Sequence, residues 1–185
     1  MSTRQVPLYY YSSASGMVRL FAERVCADSG RQALDLGERA VRRSVPDGPW
    51  VLITPSYKTG NPDNDTIPEA VRRFLADPVT RRRLAGVIGS GNRNFGRHYQ
   101  AAARQIAAAS GRPMLLEVEL QGTRWDVEDA RRLLGELDAT LAQRVVADPD
   151  PAGQRRAGHQ DHEGHEPSPD RSSGAHPPAG AAHPG

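Results

Sequence analysis

Three times along this chain a short apolar run gives way to a loop of small residues, and the loop to a segment with apolar residues at steps of three and four. This recurrence constrains the fold more than any other feature, because consecutive parallel strands need a crossover long enough to hold a helix. In the first unit Leu8-Tyr9-Tyr10-Tyr11 is β-prone and Ser12 to Gly16 forms the loop. Met17 to Ala27 then puts Val18, Phe21, Ala22 and Val25 on one helical face. The second unit has Trp50 to Thr54, the pattern of a strand covered on both faces, stopped at Pro55. A Gly/Pro/Asn/Asp-rich surface loop from Ser56 to Thr66 follows, and Pro68 opens a helix that uses Val71, Phe74 and Leu75. In the third, Leu84 to Ile88 leads into Gly89 to Gly96 and then a helix over Tyr99 to Ala109 whose inner side is mostly alanine.

The remaining patterned segments extend the same plan. Met114 to Leu120 alternates Glu117 and Glu119 with Leu116, Val118 and Leu120, which predicts a half-exposed or edge strand. Asp126 to Val146 spaces Val127, Ala130, Leu134, Leu137, Leu141 and Val145 as an amphipathic helix. Asp28 to Pro49 is weakly patterned, with a possible edge strand near Ala33 to Leu36. The expected fold class is α/β, an open and mostly parallel sheet with helices on both faces, spanning residues 1–147. Residues 148–185 are dominated by Pro, Gly, Ala, His and Ser, and are expected to be a disordered tail. Five of the six histidines lie there, among them His159, His162 and His165, but without fixed geometry they predict no metal site.

Charge and cysteine content narrow the function. Residues 1–147 carry 21 Lys+Arg against 16 Asp+Glu, and the tail carries 3 against 6, so the two parts are near +5 and −3. Arg81-Arg82-Arg83 lacks interleaved aromatics and reads as a solvated corner, so no nucleic-acid partner is expected. Cys26 is the single cysteine, which excludes an intramolecular disulfide and a multi-cysteine zinc site. With a polar start and no long apolar run, the chain is expected to be cytoplasmic and to have no membrane partner. No Ser-His-Asp or paired-carboxylate pattern offers catalytic residues, and His98 is expected at the surface.

In open parallel sheets ligands bind outside the carboxyl ends of the strands, where the three loops can converge. The first loop places Ser12, Ser13 and Ser15 hydroxyls at a helix start, with Gly16 leaving backbone N–H groups accessible, a natural place for a phosphate. No Gly-Lys-Ser/Thr follows, so this is not a nucleoside triphosphate loop. The second loop offers Ser56, Tyr57, Lys58, Thr59 and Gly60. The third offers Gly89, Gly91, Asn92, Arg93, Asn94, Phe95 and Gly96, its glycines read as sites of close approach to a flat ligand. The spacing Gly89-x-Gly91 to Gly96 does not meet the dinucleotide fingerprint. A planar heterocycle with one phosphate fits, and flavin mononucleotide (FMN) is such a molecule.

Four segments, Ser12-Ser13-x-Ser15-Gly16, Pro55-Ser56-Tyr57-x-x-Gly60, Gly89-Ser90-Gly91-Asn92-Arg93-Asn94-Phe95-Gly96 and Leu120-x-Gly122-Thr123-x-x-Asp126-Val127, resemble the NrdI family in its order over about residues 6–141. The resemblance implies a flavodoxin-like fold with FMN as cofactor. Its phosphate would lie on Ser12, Ser13, Ser15, Gly16 and Val18, and its ring between Ser56 to Gly60 and Gly89 to Gly96. It also implies a role: reduced flavin reacts with dioxygen and delivers superoxide or peroxide to the dimanganese site of the small subunit of class Ib ribonucleotide reductase, after reduction by an unidentified electron donor. The family usually has asparagine where this chain has Met17. Lys58, Arg93 and Arg97 near the ring, with no acid inside the Gly89 to Gly96 loop, would favour a fully reduced anionic flavin. The alternatives are a general electron-transfer flavodoxin and a flavin-free paralogue acting as a binding module.

Overall fold

The computed structural model describes residues 5–57 and 66–147. The elements are β1 (Leu8–Tyr10), α1 (Met17–Cys26), β2 (Ala33–Asp35), α2 (Arg39–Arg43), β3 (Trp50–Pro55), α3 (Glu69–Leu75), α4 (Pro78–Arg83), β4 (Leu84–Gly91), a 3₁₀ stretch (Arg93–His98), α5 (Ala101–Ser110), β5 (Met114–Glu119) and α6 (Arg124–Ala147). The strands form one sheet in the order β2-β1-β3-β4-β5, and every neighbouring pair is parallel. This is the flavodoxin-like order, with its switch point between β1 and β3. The expected tail and the segment 58–65 lie outside the described residues.

Period-two alternation along the central strands divides the interior into two cores. Leu8, Tyr10, Val51, Ile53 and Ile88 face α1 and α6, where they meet Val18, Phe21, Val25, Val127 and Leu134. Tyr9, Trp50, Leu52 and Val87 face the other way, onto Val71 and Phe74 of α3 and Ala103 and Ile106 of α5. Burial of each large side chain contributes about 1.5–3 kcal/mol, which makes the central strands the stable part of the molecule. In the second core the Tyr9, Trp50 and Phe74 rings meet at centroid distances of 5.0–5.3 Å, and the Trp50 indole N–H donates to the Thr80 carbonyl at 2.9 Å.

The weakly patterned region contains the edge strand β2 and also the short helix α2, which carries no buried residue and so left no periodic signal. Arg81 and Arg82 are exposed, as expected of a solvated corner, while Arg83 is half-buried. They form the last turn of α4, where Arg81 donates to the Leu75 and Ala76 carbonyls and Arg83 to that of Pro46. Ser56 and Thr66, the described ends of the expected surface loop, are buried. The segment Leu120 to Val127 closes the start of α6. Asp126 Oδ2 accepts from Thr123 N–H at 2.6 Å and from its hydroxyl at 2.7 Å, a capping arrangement. The Phe21 ring covers Gly122, where a Cβ would lie 2.9 Å from it.

One buried ion pair has no counterpart in the sequence patterns. Asp138 of α6 bonds Arg31 at 2.6 Å and the Val6 N–H at 2.8 Å, and both side chains are under a tenth exposed. It ties the entrance of β1 to the last helix. Removing either partner would leave a buried charge, a loss of about 3–5 kcal/mol.

Candidate functional site

Because β1, β3 and β4 are adjacent and parallel, their carboxyl ends lie along one edge at spacings of about 4.8 Å. The loops that follow them therefore meet there. At β1 the chain turns through Gly16, whose φ of +71° is the left-handed conformation that only glycine adopts without cost. Gly16 N–H closes the turn on the Ser13 carbonyl at 3.0 Å, and the Ser12 hydroxyl accepts the Arg19 N–H at 3.2 Å. The Ser13 and Ser15 hydroxyls are 2.9 Å apart and exposed. Gly16 has no side chain to cap α1, and beyond the Ser12 bond to Arg19 the Met17 and Val18 N–H groups have no hydrogen-bond partner among the described residues. The Val18 side chain is buried in the core, and only its backbone serves this edge.

Arg19, in the first turn of α1, borders the same loop and was not anticipated. Its guanidinium lies over Gly16, with Nη2 3.4 Å from where a Cβ would sit. Two free N–H groups at a helix start, exposed hydroxyls and a cation form a donor set that matches a phosphate monoester. The available signal was its place in the first turn of α1, outside the buried face.

At β3, Ser56 turns inward. Its hydroxyl accepts the Ala102 N–H at 3.0 Å and so caps α5 from a neighbouring loop. Tyr57 is half-buried, and its ring meets that of Tyr11 edge-on at a centroid distance of 6.4 Å. Burial, with a hydrogen bond to Tyr11, raises the Tyr57 phenol above its ordinary value. This pair joins the residues that follow β1 and β3 at the carboxyl edge of the sheet. Lys58, Thr59 and Gly60 lie outside the described residues.

The β4 corner corrects the reading of its glycines. β4 runs through Gly91, and Gly89 and Ser90 pair with Thr54 and Pro55 of β3, so the first three residues of the expected loop are strand. A Cβ on Gly89 would lie 2.1 Å from Gln100 Oε1, 2.8 Å from Met114 and 2.9 Å from Ala103. One on Gly91 would lie 3.0 Å from the Tyr99 ring. These two glycines admit the protein's own side chains. Gln100 is fully buried, adopts φ +59° ahead of α5, and donates from Nε2 to the Val118 carbonyl at 2.8 Å. It displaces the expected start of that helix from Tyr99 to Ala101.

The exposed part of the corner is Asn92 to Arg97. Asn92 Oδ1 accepts the Asn94 N–H at 2.9 Å and fixes the turn, while Phe95 is half-buried and Asn94 exposed. Gly96 has φ +53° with nothing within 4 Å of a Cβ position, so it serves the turn alone. His98 is buried, 6% exposed, against the expectation of a surface residue, because the 3₁₀ stretch folds it under the corner. Arg93 is not unopposed. It pairs with Glu119 at the end of β5, Nε to Oε2 3.3 Å, and its guanidinium sits 6.0 Å from the Tyr99 ring centroid. The parallel register that puts Glu119 opposite Gly91 brings this acid to the corner.

Comparison with known proteins places the chain among relatives. The family described as NrdI flavodoxin-like matches residues 9–132. Protein NrdI of Escherichia coli is 42% identical over 125 residues, covering 68% of this chain and 88% of that protein. Protein NrdI of Bartonella tribocorum is 39% identical over 120 residues, 65% of this chain and 86% of that one. Among solved structures, a short-chain flavodoxin associated with a bacterial microcompartment matches with a TM-score of 0.50 and 15% identity, covering 74% of this chain and 99% of that one.

Proposed function

The chain belongs to the NrdI flavodoxin-like family, and from that premise we propose that it is a flavoprotein that binds FMN at the carboxyl edge of its sheet and serves class Ib ribonucleotide reductase. The observation that carries this reading is the donor set at the start of α1, two unpartnered N–H groups beside three serines and Arg19, on the same edge as Tyr57 and Phe95. When bound, the cofactor supplies two-electron storage and a reduced ring that dioxygen oxidises, releasing superoxide or peroxide for the dimanganese site of the reductase small subunit.

The chain's own residues set the conditions for that chemistry. Met17 and Val18 N–H, with the Ser12, Ser13 and Ser15 hydroxyls, hold the phosphate, and Arg19 offsets its charge. Tyr57 and Phe95 orient the flat ring from two sides, with Lys58, Thr59, Gly60, Asn94 and Gly96 completing the loops. The packed Gly89, Gly91 and Gln100 keep the third loop on a rigid strand end. Arg93 supplies positive charge at the ring edge, tempered by Glu119.

FMN titration of the purified protein tests the first half: quenching of flavin fluorescence is expected, and it should weaken in a Ser13→Ala/Ser15→Ala variant. The second half is tested by mixing the reduced protein with manganese-loaded small subunit and air. A tyrosyl radical in the electron paramagnetic resonance spectrum is expected. Binding of FMN without radical formation would instead assign a general electron-transfer flavodoxin. Met17 favours a second reading, a flavin-free binding module, because it puts a thioether where the family usually carries an amide; a protein that leaves FMN fluorescence unchanged would establish it.

A further inference from the structure

Away from the candidate flavin site, α3, α4 and α5 border an open cavity of about 660 Å³ beside Leu84, the first residue of β4. Ile67, Leu75, Leu84 and Ile106 give it an apolar floor. Four arginines, Arg72, Arg81, Arg82 and Arg112, line it, and among the described residues no Asp or Glu does. The eight residues of β4 separate this end of the sheet from the carboxyl edge, a distance of about 23 Å at ~3.3 Å per residue.

Arg81 and Arg112 are held in place by carbonyls. Arg81 donates from Nη1 to Leu75 and Ala76, both at 2.8 Å, and Arg112 from Nη2 to the Arg82 carbonyl at 3.1 Å. Each guanidinium has five N–H donors, so both retain donors beyond these bonds. The Arg82 guanidinium has no hydrogen-bond or ion-pair partner among the described residues. Arg72 is shared with Glu69 at 3.4 Å. Like charges gathered in one concavity repel, and an anion that bridges them removes that repulsion.

We propose that this cavity binds an organic polyphosphate, a molecule with two or more phosphoryl groups on an apolar or flat body. The arginine set calls for more than one negative charge, and guanidinium is the side chain suited to bidentate phosphate contacts. The apolar floor calls for a body that an inorganic anion lacks, and the volume falls within the range of small-molecule sites. This site is independent of the flavin reading, since it shares no residue with the serine loop or the β4 corner.

The test is amide-resolved NMR of the full chain titrated with ATP, with pyrophosphate and with decanoate. ATP is expected to shift the amides of residues 81–84 and 106–112, to leave Met17 to Arg19 unmoved, and to bind about tenfold or more tighter than either control, a gap of ~1.4 kcal/mol. Arg82→Glu should weaken ATP at least as much without changing the melting of the ligand-free protein or its FMN titration, and Arg112→Gln provides an independent variant. The proposal is overturned if ATP shifts only the serine loop, if pyrophosphate binds as tightly as ATP and Arg82→Glu leaves both unchanged, if decanoate alone binds, or if no shift occurs at millimolar ATP. FMN affinity is read separately, so loss of one reading leaves the other standing.

Discussion

The loop after β1 and the corner after β4 both look like ligand loops, yet they use small residues for opposite ends. After β1, Gly16 turns the backbone and leaves two N–H groups and two exposed hydroxyls facing outward. At the end of β4, Gly89 and Gly91 turn nothing: they are strand residues whose missing Cβ atoms leave room for Gln100, Met114 and Tyr99. A glycine inside a strand thus marks close approach of something, and only the neighbours decide whether that is a ligand or the protein itself.

The contrast can be broken most sharply at Gly89. Gly89→Ala is expected to cost about 3 kcal/mol of stability by forcing a Cβ into Gln100 and Ala103, measured by urea denaturation. A variant as stable as the parent but unable to bind flavin would return Gly89 to the ligand. Next in size, Ser13→Ala/Ser15→Ala should leave the melting temperature almost unchanged, since that hydroxyl pair is exposed, and weaken FMN by about 2 kcal/mol through lost charge-assisted hydrogen bonds. Equal losses of stability and affinity would erase the distinction between the two loops.

Two smaller effects sharpen it. Met17→Asn should strengthen FMN binding by about 1 kcal/mol by adding an amide beside the free N–H groups, without altering stability; isothermal titration calorimetry reads both the gain and its enthalpy. Glu119→Gln should make flavin reduction easier by no more than about 0.5 kcal/mol, because the pair it breaks is well exposed and screened. A spectroelectrochemical titration at low and high salt checks it, the shift shrinking at high salt. A shift toward harder reduction would place Arg93 away from the ring.

The elements were legible because each carries its own signal. Alternation in Trp50 to Ile53 splits cleanly between the two cores, and the α1 face of Val18, Phe21, Ala22 and Val25 is buried as spaced. The edge position of β5 followed from its two glutamates. What escaped was short or unpatterned: α2 buries nothing, and the 3₁₀ stretch carries His98 inward without any periodicity. At the site, the tight turn ahead of α1 was legible because Ser12 to Gly16 are neighbours along the chain. Ser56 was not legible as a helix cap, because its partner is 46 residues away.

The sequence by itself determined the parallel α/β plan, the three loops and the family, since apolar periodicity and contiguous motifs are properties of neighbours along the chain. Only the tertiary structure decided which glycines face protein, that Arg93 has Glu119 opposite it, that Arg31 and Asp138 form a buried pair, and that four arginines share one cavity. Each of these depends on strand register and on where a helix lies across the sheet. Those quantities are set by packing between layers, and no local stretch of sequence contains them.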